Sequence, residues 1–222
     1  MMKYHSKADK FFTKEEKERI KNTTIDVESR TIGEIAVMVV DHSSQYHEAE
    51  IVGGVFIGSL VSIILSALYF HSSMWFFIPV AFLLFFPSRL LFKKMPVLKR
   101  VFVGKKRKEK AVRERALKAF YEKGLYKTKE NTGVLFFLSL LERKVWVLAD
   151  KGIHSKIHQP TLNKFAGMVS KGIREGRACD ALIEAIQEAG ELLAKHYPAK
   201  AGETDELPDE VICEPDAKDD TD

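Results

Sequence analysis

The stretch that decides the fold reads IVGGVFIGSLVSIILSALYFHSSMWFFIPVAFLLFFPS (residues 51–88) and contains no Asp, Glu, Lys or Arg. A helix that crosses a bilayer needs about 20 apolar residues, so a single crossing would leave about half of this stretch unused. Two crossings joined by a tight turn use all of it. We therefore predict a transmembrane helical hairpin with spans at 51–70 and 74–92, joined by a polar turn at 71–73.

A helical hairpin buried in a large water-soluble core is the alternative interpretation. The helices of such a core usually keep a polar stripe that faces water, and neither segment has one. Gly53, Gly54 and Gly58 lie along the first predicted helix, and close packing of helices in lipid favours small residues. These observations favour the membrane interpretation.

Basic residues directly follow the second predicted span, whereas the turn has none. Lys and Arg near span ends remain in the cytoplasm, so both soluble arms should be cytoplasmic, beneath a bacterial inner membrane. Clusters of this kind contact anionic lipid headgroups. The predicted lipid-contacting residues are Lys93, Lys94, Lys99, Arg100, Lys105 and Lys106. One alternative is that these basic residues only set the orientation of the hairpin. Nucleic-acid binding is a second alternative, which is less favoured because the residues lie beside a span.

Charge is distributed unevenly along the 222 residues, whose formal net charge is +4. The tail, residues 198–222, holds ten acidic residues and two lysines and has few aromatic residues, which predicts disorder. The two cysteines, Cys179 and Cys213, are far apart. They indicate neither a disulfide framework nor a zinc site and fit a reducing compartment.

The remaining segments alternate between helical and strand patterns. Thr13 and Glu16 have capping-box spacing, which predicts a helix from there to about Ser29. Strands are predicted at 34–40, 133–140 and 144–150, the last two as an antiparallel hairpin because their connection is short. Further helices are predicted at 105–121, 160–172 and 178–196. The helix at 105–121 should bury Val112, Ala116, Leu117 and Phe120.

Strands that are apolar on both faces need helices on both sides. The prediction is therefore an α/β fold, a small three-layer α/β/α sandwich with a mixed sheet, interrupted by the transmembrane helical hairpin. The first part of the α/β domain spans 11–50 and the hairpin spans 51–92. A basic linker covers 93–109, the second part of the domain covers 110–197, and the acidic tail covers 198–222.

Acidic and amide side chains flank the predicted strands. Asp41 ends the first strand, Asp150 ends the third, and Glu130 and Asn131 precede the second. If the first strand ran parallel to the third, all four would meet at one sheet edge. There they could hold Ca²⁺ or Mg²⁺, with Asp41 and Asp150 as catalytic residues. The alternative is that these residues only end strands and begin turns.

Arg143 and Lys144, in the turn of the predicted hairpin, could contact phosphate; the alternative is a solvated turn. His154 and His158 are four residues apart, but Pro160 argues against a helix across them. The sequence has no Walker-type loop, no Cys-x-x-Cys pair and no Gly-x-Ser-x-Gly elbow.

Two segments, TIGEIAVMVV (residues 31–40) and TGVLFFLSLLERKVWV (residues 132–147), resemble the first strand and the central hairpin of the TPM domain family. The resemblance implies an α/β sandwich, and it implies the acid phosphatase activity and divalent-metal binding attributed to that family. Two departures argue against this chemistry. The loop before the second strand, residues 125–131, is basic rather than rich in Asp. Ala149-Asp150-Lys151-Gly152 replaces the usual Gly-Tyr-Gly.

Two functions therefore remain open. The first is a membrane-anchored adaptor or regulatory module that binds a protein partner in or at the membrane. The second is a metal-dependent phosphatase that acts on phosphomonoesters.

Overall fold

The computed structural model describes residues 6–69, 74–199 and 209–214. The chain forms two compact units. The α/β unit comprises residues 1–44 and 109–222, and the hairpin unit comprises residues 45–108. The division agrees with a globular domain whose sequence is interrupted by a helical insertion.

The α/β unit is built on a mixed four-stranded sheet. Its strands are β1 (Glu34–Val40), β2 (Gly133–Ser139), β3 (Lys144–Ala149) and β4 (Ile212–Glu214), in the order β3-β2-β1-β4. β1 runs parallel to both β2 and β4, whereas β2 and β3 form an antiparallel hairpin. The mixed sheet and the β2–β3 hairpin confirm the sequence prediction.

Helices cover both faces of this sheet. The helices that reach the α/β unit are α1 (Lys14–Glu28), α5 (Lys105–Glu122), α6 (Lys151–His154), α7 (Gln159–Arg174) and α8 (Ala178–His196). Alternate residues of the fully buried β1 enter two separate cores. Val37 packs in the core shared with α1, α7 and α8, and Met38 packs in the core shared with α5. The three layers follow from this alternation.

The start of α1 shows how local sequence fixes an element. The Thr13 hydroxyl accepts a hydrogen bond from the backbone N–H of Glu16 at 3.2 Å, and the Glu16 carboxylate accepts one from the N–H of Thr13 at 2.8 Å. The predicted capping box is therefore confirmed.

The hairpin unit contains α2 (His47–Tyr69), α3 (Met74–Lys94) and α4 (Pro96–Phe102). Small residues allow α2 and α3 to approach closely: a Cβ at Gly54 or Gly58 would lie 3.3 Å from the backbone of α3. The Ser62 hydroxyl donates to the carbonyl oxygen of Phe77 at 2.8 Å. The predicted turn at 71–73 lies outside the described residues.

Among the described residues, one helix is long and apolar enough to cross a membrane, as judged by length and composition. It spans His47–Leu68 and has a mean hydropathy of 2.4. The second apolar segment, Phe77–Phe92, is shorter. The two-span membrane hairpin therefore stays a prediction.

Four features differ from the sequence expectations. Leu117 is 46% exposed, so it is not part of the stripe that α5 buries. α2 begins at His47 rather than at residue 51. The loop at 125–131 opens with a 3₁₀ turn, Leu125–Lys127, whose Leu125 is fully buried. Part of the tail that was expected to be disordered forms β4, which adds an edge strand to the sheet.

Candidate functional site

Asp41 follows β1 and anchors the N-terminal segment. Its carboxylate accepts hydrogen bonds from the Ser6 hydroxyl at 3.0 Å and from the backbone N–H groups of Lys7 at 3.2 Å and Ala8 at 2.6 Å. Three donors satisfy most of the acceptor capacity of this carboxylate. The contacts make Asp41 a cap for a turn, which is the structural alternative that the sequence left open.

The other three predicted ligands lie at the opposite end of the sheet. Since β1 is parallel to β2 and β2 is antiparallel to β3, β1 and β3 run in opposite directions. The four residues were expected to meet only if β1 ran parallel to β3. Because β1 does not, they do not all meet at one edge of the sheet. Seven-residue strands at about 3.3 Å per residue separate Asp41 from Asp150 by roughly 20 Å.

Asp150, Glu130 and Asn131 do come together. The Asp150 carboxylate accepts a hydrogen bond from the Lys151 N–H at 2.7 Å and caps α6. Its second oxygen, Oδ2, is buried and has no hydrogen-bond partner within residues 6–69, 74–199 and 209–214. A Cβ at Gly152 would collide with the backbone carbonyl oxygens of Glu130 and Asn131, so only glycine allows this close approach.

This end of the sheet thus offers one carboxylate oxygen and, packed against Gly152, two carbonyl oxygens, and oxygen is the ligand type that Ca²⁺ and Mg²⁺ prefer. A complete ligand set is not assembled there: no group of three or more His, Cys, Asp or Glu side chains in the described part of the chain is arranged to hold a metal ion. The residues present therefore fit a divalent cation only in part.

A buried polar cluster that sequence reasoning missed joins the ends of β1 and β2. The Ser43 hydroxyl donates to the Ser139 hydroxyl at 2.8 Å, and the Ser139 hydroxyl donates to the Glu142 carboxylate. The N–H of Ser43 donates to the same carboxylate at 3.1 Å. The Ser-x-x-Glu spacing of 139–142, the capping-box spacing, could have signalled it.

This cluster resembles a nucleophile with its base. However, Ser139 is 2% exposed and Glu142 is 5% exposed, so a substrate does not reach the hydroxyl. The cluster ties the β2–β3 turn to the end of β1. Of the predicted phosphate-contacting pair in that turn, Lys144 forms an ion pair with Glu109 at 2.5 Å, and Arg143 adopts a left-handed backbone conformation.

The predicted lipid-contacting residues have different environments. Lys99 is buried, and its ammonium group donates to the Glu50 carboxylate at 2.6 Å and to the Gln45 carbonyl at 3.1 Å. This residue therefore stabilises the hairpin unit instead of facing headgroups, which corrects the prediction. Lys105 and Lys106 are exposed, and Arg100 is half-buried. The side chains of Lys93 and Lys94 lie outside the described part of the structure.

Comparisons with known proteins support the resemblance to the TPM domain and the fold. A family model described as "TPM domain" matches residues 99–192. The fold is similar to that of the BA42 protein from the psychrophilic bacterium Bizionia argentinensis, solved by NMR. The TM-score is 0.59 at 20% sequence identity, covering 96% of this chain and 100% of BA42. No curated protein sequence matches. The mixed-sheet α/β fold and the similarity of residues 99–192 to the TPM domain are thus supported independently.

Proposed function

We propose that the chain is an integral protein of the bacterial inner membrane. In this proposal α2 and α3 form the membrane anchor and present a cytoplasmic TPM-like domain that acts as an adaptor or regulatory module. Basic residues after α3, including Arg100, Lys105 and Lys106, lie on the cytoplasmic side and contact anionic headgroups.

The observation that carries the proposal is the apolar surface of the hairpin unit. Large apolar side chains are exposed along both helices, for example Leu68 at 71%, Trp75 at 88% and Leu83 at 71%. Soluble proteins rarely expose contiguous apolar patches of more than a few hundred Å². Meanwhile the small residues face the partner helix, as they do where helices pack in lipid. A bilayer would cover this surface.

An adaptor is favoured over an enzyme because the described residues that could do chemistry are either occupied or separated. Asp41 caps a turn, Ser139 is enclosed, and Asp41 lies roughly 20 Å from Asp150 along the strands.

The test expresses the full chain in bacteria and extracts the membrane fraction with alkaline carbonate. The proposal predicts that the protein stays in the membrane pellet. It also predicts that protease digests the α/β unit in inverted vesicles but not in intact spheroplasts. Protein recovered in the soluble fraction without detergent would contradict the anchor, and digestion in spheroplasts would contradict the orientation.

A metal-dependent phosphatase is the second candidate, favoured by the buried, unpartnered Oδ2 of Asp150, two residues before Gly152, which packs against the Glu130 and Asn131 carbonyls. It predicts that Mg²⁺ or Ca²⁺ raises the melting temperature and that a generic phosphomonoester is hydrolysed. Both effects should be lost in Asp150→Asn and kept in Asp41→Asn. The absence of metal stabilisation and of turnover would reject this candidate.

A further inference from the structure

The open edge of β1 carries a short segment of the C-terminal tail, residues 209–214, here called the strap. Its strand β4 pairs with Met38–Val40, and the backbone N–H of Asp41 donates to the Glu214 carbonyl oxygen at 3.4 Å. Ile212 packs against the core on the α5 side and Cys213 against the opposite core. The strap thus fills a strand-shaped groove with alternate side chains on the two faces.

The groove ends in a carboxylate-binding pair. The Arg115 guanidinium binds the Glu214 carboxylate, and the Lys123 ammonium donates to the same carboxylate at 2.7 Å. The Arg115 side chain is only 8% exposed, and its Nε has no hydrogen-bond partner within the described ranges. A buried guanidinium requires a nearby carboxylate. Glu122 supplies one at 2.9 Å, and Glu214 of the strap supplies the other.

The backbone pairing of the strap is short. Three residues pair with β1, and each of them is only half-buried. At its other end Glu210 forms an exposed ion pair with Lys21 at 3.5 Å. So short a strand opens at low free-energy cost. By contrast, β1 is buried along its whole length, so release of the strap would leave an apolar strand with unpaired backbone groups.

Three carboxyls lie near one another at the start of the strap. Asp209 lies beside Glu28 of α1, which is also close to Glu34 of β1. Burial, and then the Asp209 carboxyl, raise the pKa of Glu28 to about 10. Glu28 therefore has to remain protonated while the strap is docked.

We propose that the β1 edge, with Arg115 and Lys123 at its end, is a docking site for an extended peptide of a partner protein. The peptide carries an apolar residue followed two positions later by a carboxylate, as Ile212 and Glu214 do, and it binds by adding a strand to the sheet. The strap occupies this site in cis. The inference rests on the proposed adaptor role, for which it supplies the partner surface.

The test uses the full chain in detergent, so peptide binding is measured independently of membrane insertion. The probe is a fluorescent synthetic peptide of residues 207–216 with Ser in place of Cys213. A variant with a released strap, Ile212→Asp with Glu214→Lys, should bind the probe at least tenfold more tightly than the unaltered chain. Adding Lys123→Glu to that variant should abolish the gain, and a probe with Lys at position 214 should bind neither the unaltered chain nor the variant with the released strap.

A second measurement needs no substitution in the protein. Because Cys213 belongs to the docked strap and is half-buried against the core, displacement of the strap by excess probe should increase the rate at which a thiol reagent modifies Cys213 several-fold. The buried Cys179 should be unaffected. Equal probe binding by the unaltered and released chains, binding insensitive to Lys123→Glu, or unchanged Cys213 reactivity would overturn the proposal.

Discussion

The two units of this chain distribute their apolar side chains in opposite ways. In the α/β unit Phe136 and Phe137 are completely buried in the sheet, whereas in the hairpin unit Trp75 is 88% exposed and Leu83 is 71% exposed. Water drives the first arrangement through apolar burial. The second arrangement is expected where lipid covers the helices and their backbone groups are satisfied internally. Under the proposed function, one chain would fold in two solvents, water and lipid.

The largest expected effect concerns the charged pair that the hairpin unit buries. Lys99→Met leaves the Glu50 carboxylate, whose side chain is 5% exposed, without the Lys99 ammonium, and the His47 imidazole at 3.9 Å does not replace it unless it is protonated. Breaking such a pair costs about 3–5 kcal/mol. Thermal unfolding of the full chain in detergent should show a marked loss of helix stability. Lys105→Met, at an exposed site, is the control, and adding Glu50→Leu should restore stability. Equal melting of the two single variants would contradict the burial of this pair.

A charge placed on the apolar surface compares the two units directly. Leu83→Arg should oppose insertion by about 2.5–3.5 kcal/mol, because arginine is unfavourable at the centre of a membrane helix. Leu117→Arg, on the exposed side of α5 in the α/β unit, should have almost no effect. The measurement is the fraction of chain retained in membranes after carbonate extraction. Similar retention of the two variants would contradict the prediction that lipid covers the hairpin unit and not the α/β unit.

Packing inside the α/β unit is tested by two glycines of α7. A Cβ at Gly172 would collide with the Ala181 side chain of α8, whereas a Cβ at Gly167 meets nothing within 4 Å. Gly172→Ala should destabilise the chain by about 1–3 kcal/mol through overpacking. Gly167→Ala should stabilise the chain by roughly 0.5–1 kcal/mol through its helix propensity. Urea unfolding of the full chain in detergent measures both, and shifts of the same sign would refute the packing described for α7.

The smallest effect concerns a carboxyl of the α/β unit. Burial raises the pKa of Glu28 from 4.5 to about 10, so folding takes up a proton between these pH values and stability falls as pH rises. In the unaltered chain the Ile35 N–H donates to the Glu28 carboxyl group at 2.6 Å. Glu28→Gln keeps an acceptor for this N–H and removes the ionisable group. At pH 8 it should be more stable by at least about 1.4 kcal/mol, the equivalent of one pKa unit.

The control for this prediction is Glu18→Gln, at an exposed site of the same helix. Its free energy of unfolding should follow that of the unaltered chain from pH 5 to pH 9. A Glu28→Gln variant that shows the same pH slope as the unaltered chain would mean that Glu28 is ionised in the folded protein.

Local patterns predicted most of the elements. The Thr13 capping box, the apolar β1 and the short turn between β2 and β3 each carry their signal within a few residues. Such signals depend on backbone geometry that neighbouring residues determine, so sequence reasoning recovers them.

What the sequence could not provide depends on distant residues. The direction of β1 relative to β3 is fixed by its pairing with β2 about 100 positions later, and that pairing separates Asp41 from Asp150. β4 is three residues long and lies in the acidic tail, and its Glu214 binds Arg115 and Lys123, which lie far away in sequence. Lys99 belongs to a basic run of sequence, yet it is buried because it forms an ion pair with Glu50 of another helix.

The central claim is that lipid covers the hairpin unit and not the α/β unit. The chain has two tryptophans, Trp75 on α3 and Trp146 on β3. Single-tryptophan variants, Trp146→Phe and Trp75→Phe, can therefore report on each unit in vesicles that contain brominated lipids. The account predicts strong quenching of Trp75 fluorescence and none of Trp146. Absence of quenching at Trp75, or equal quenching at both positions, would contradict it.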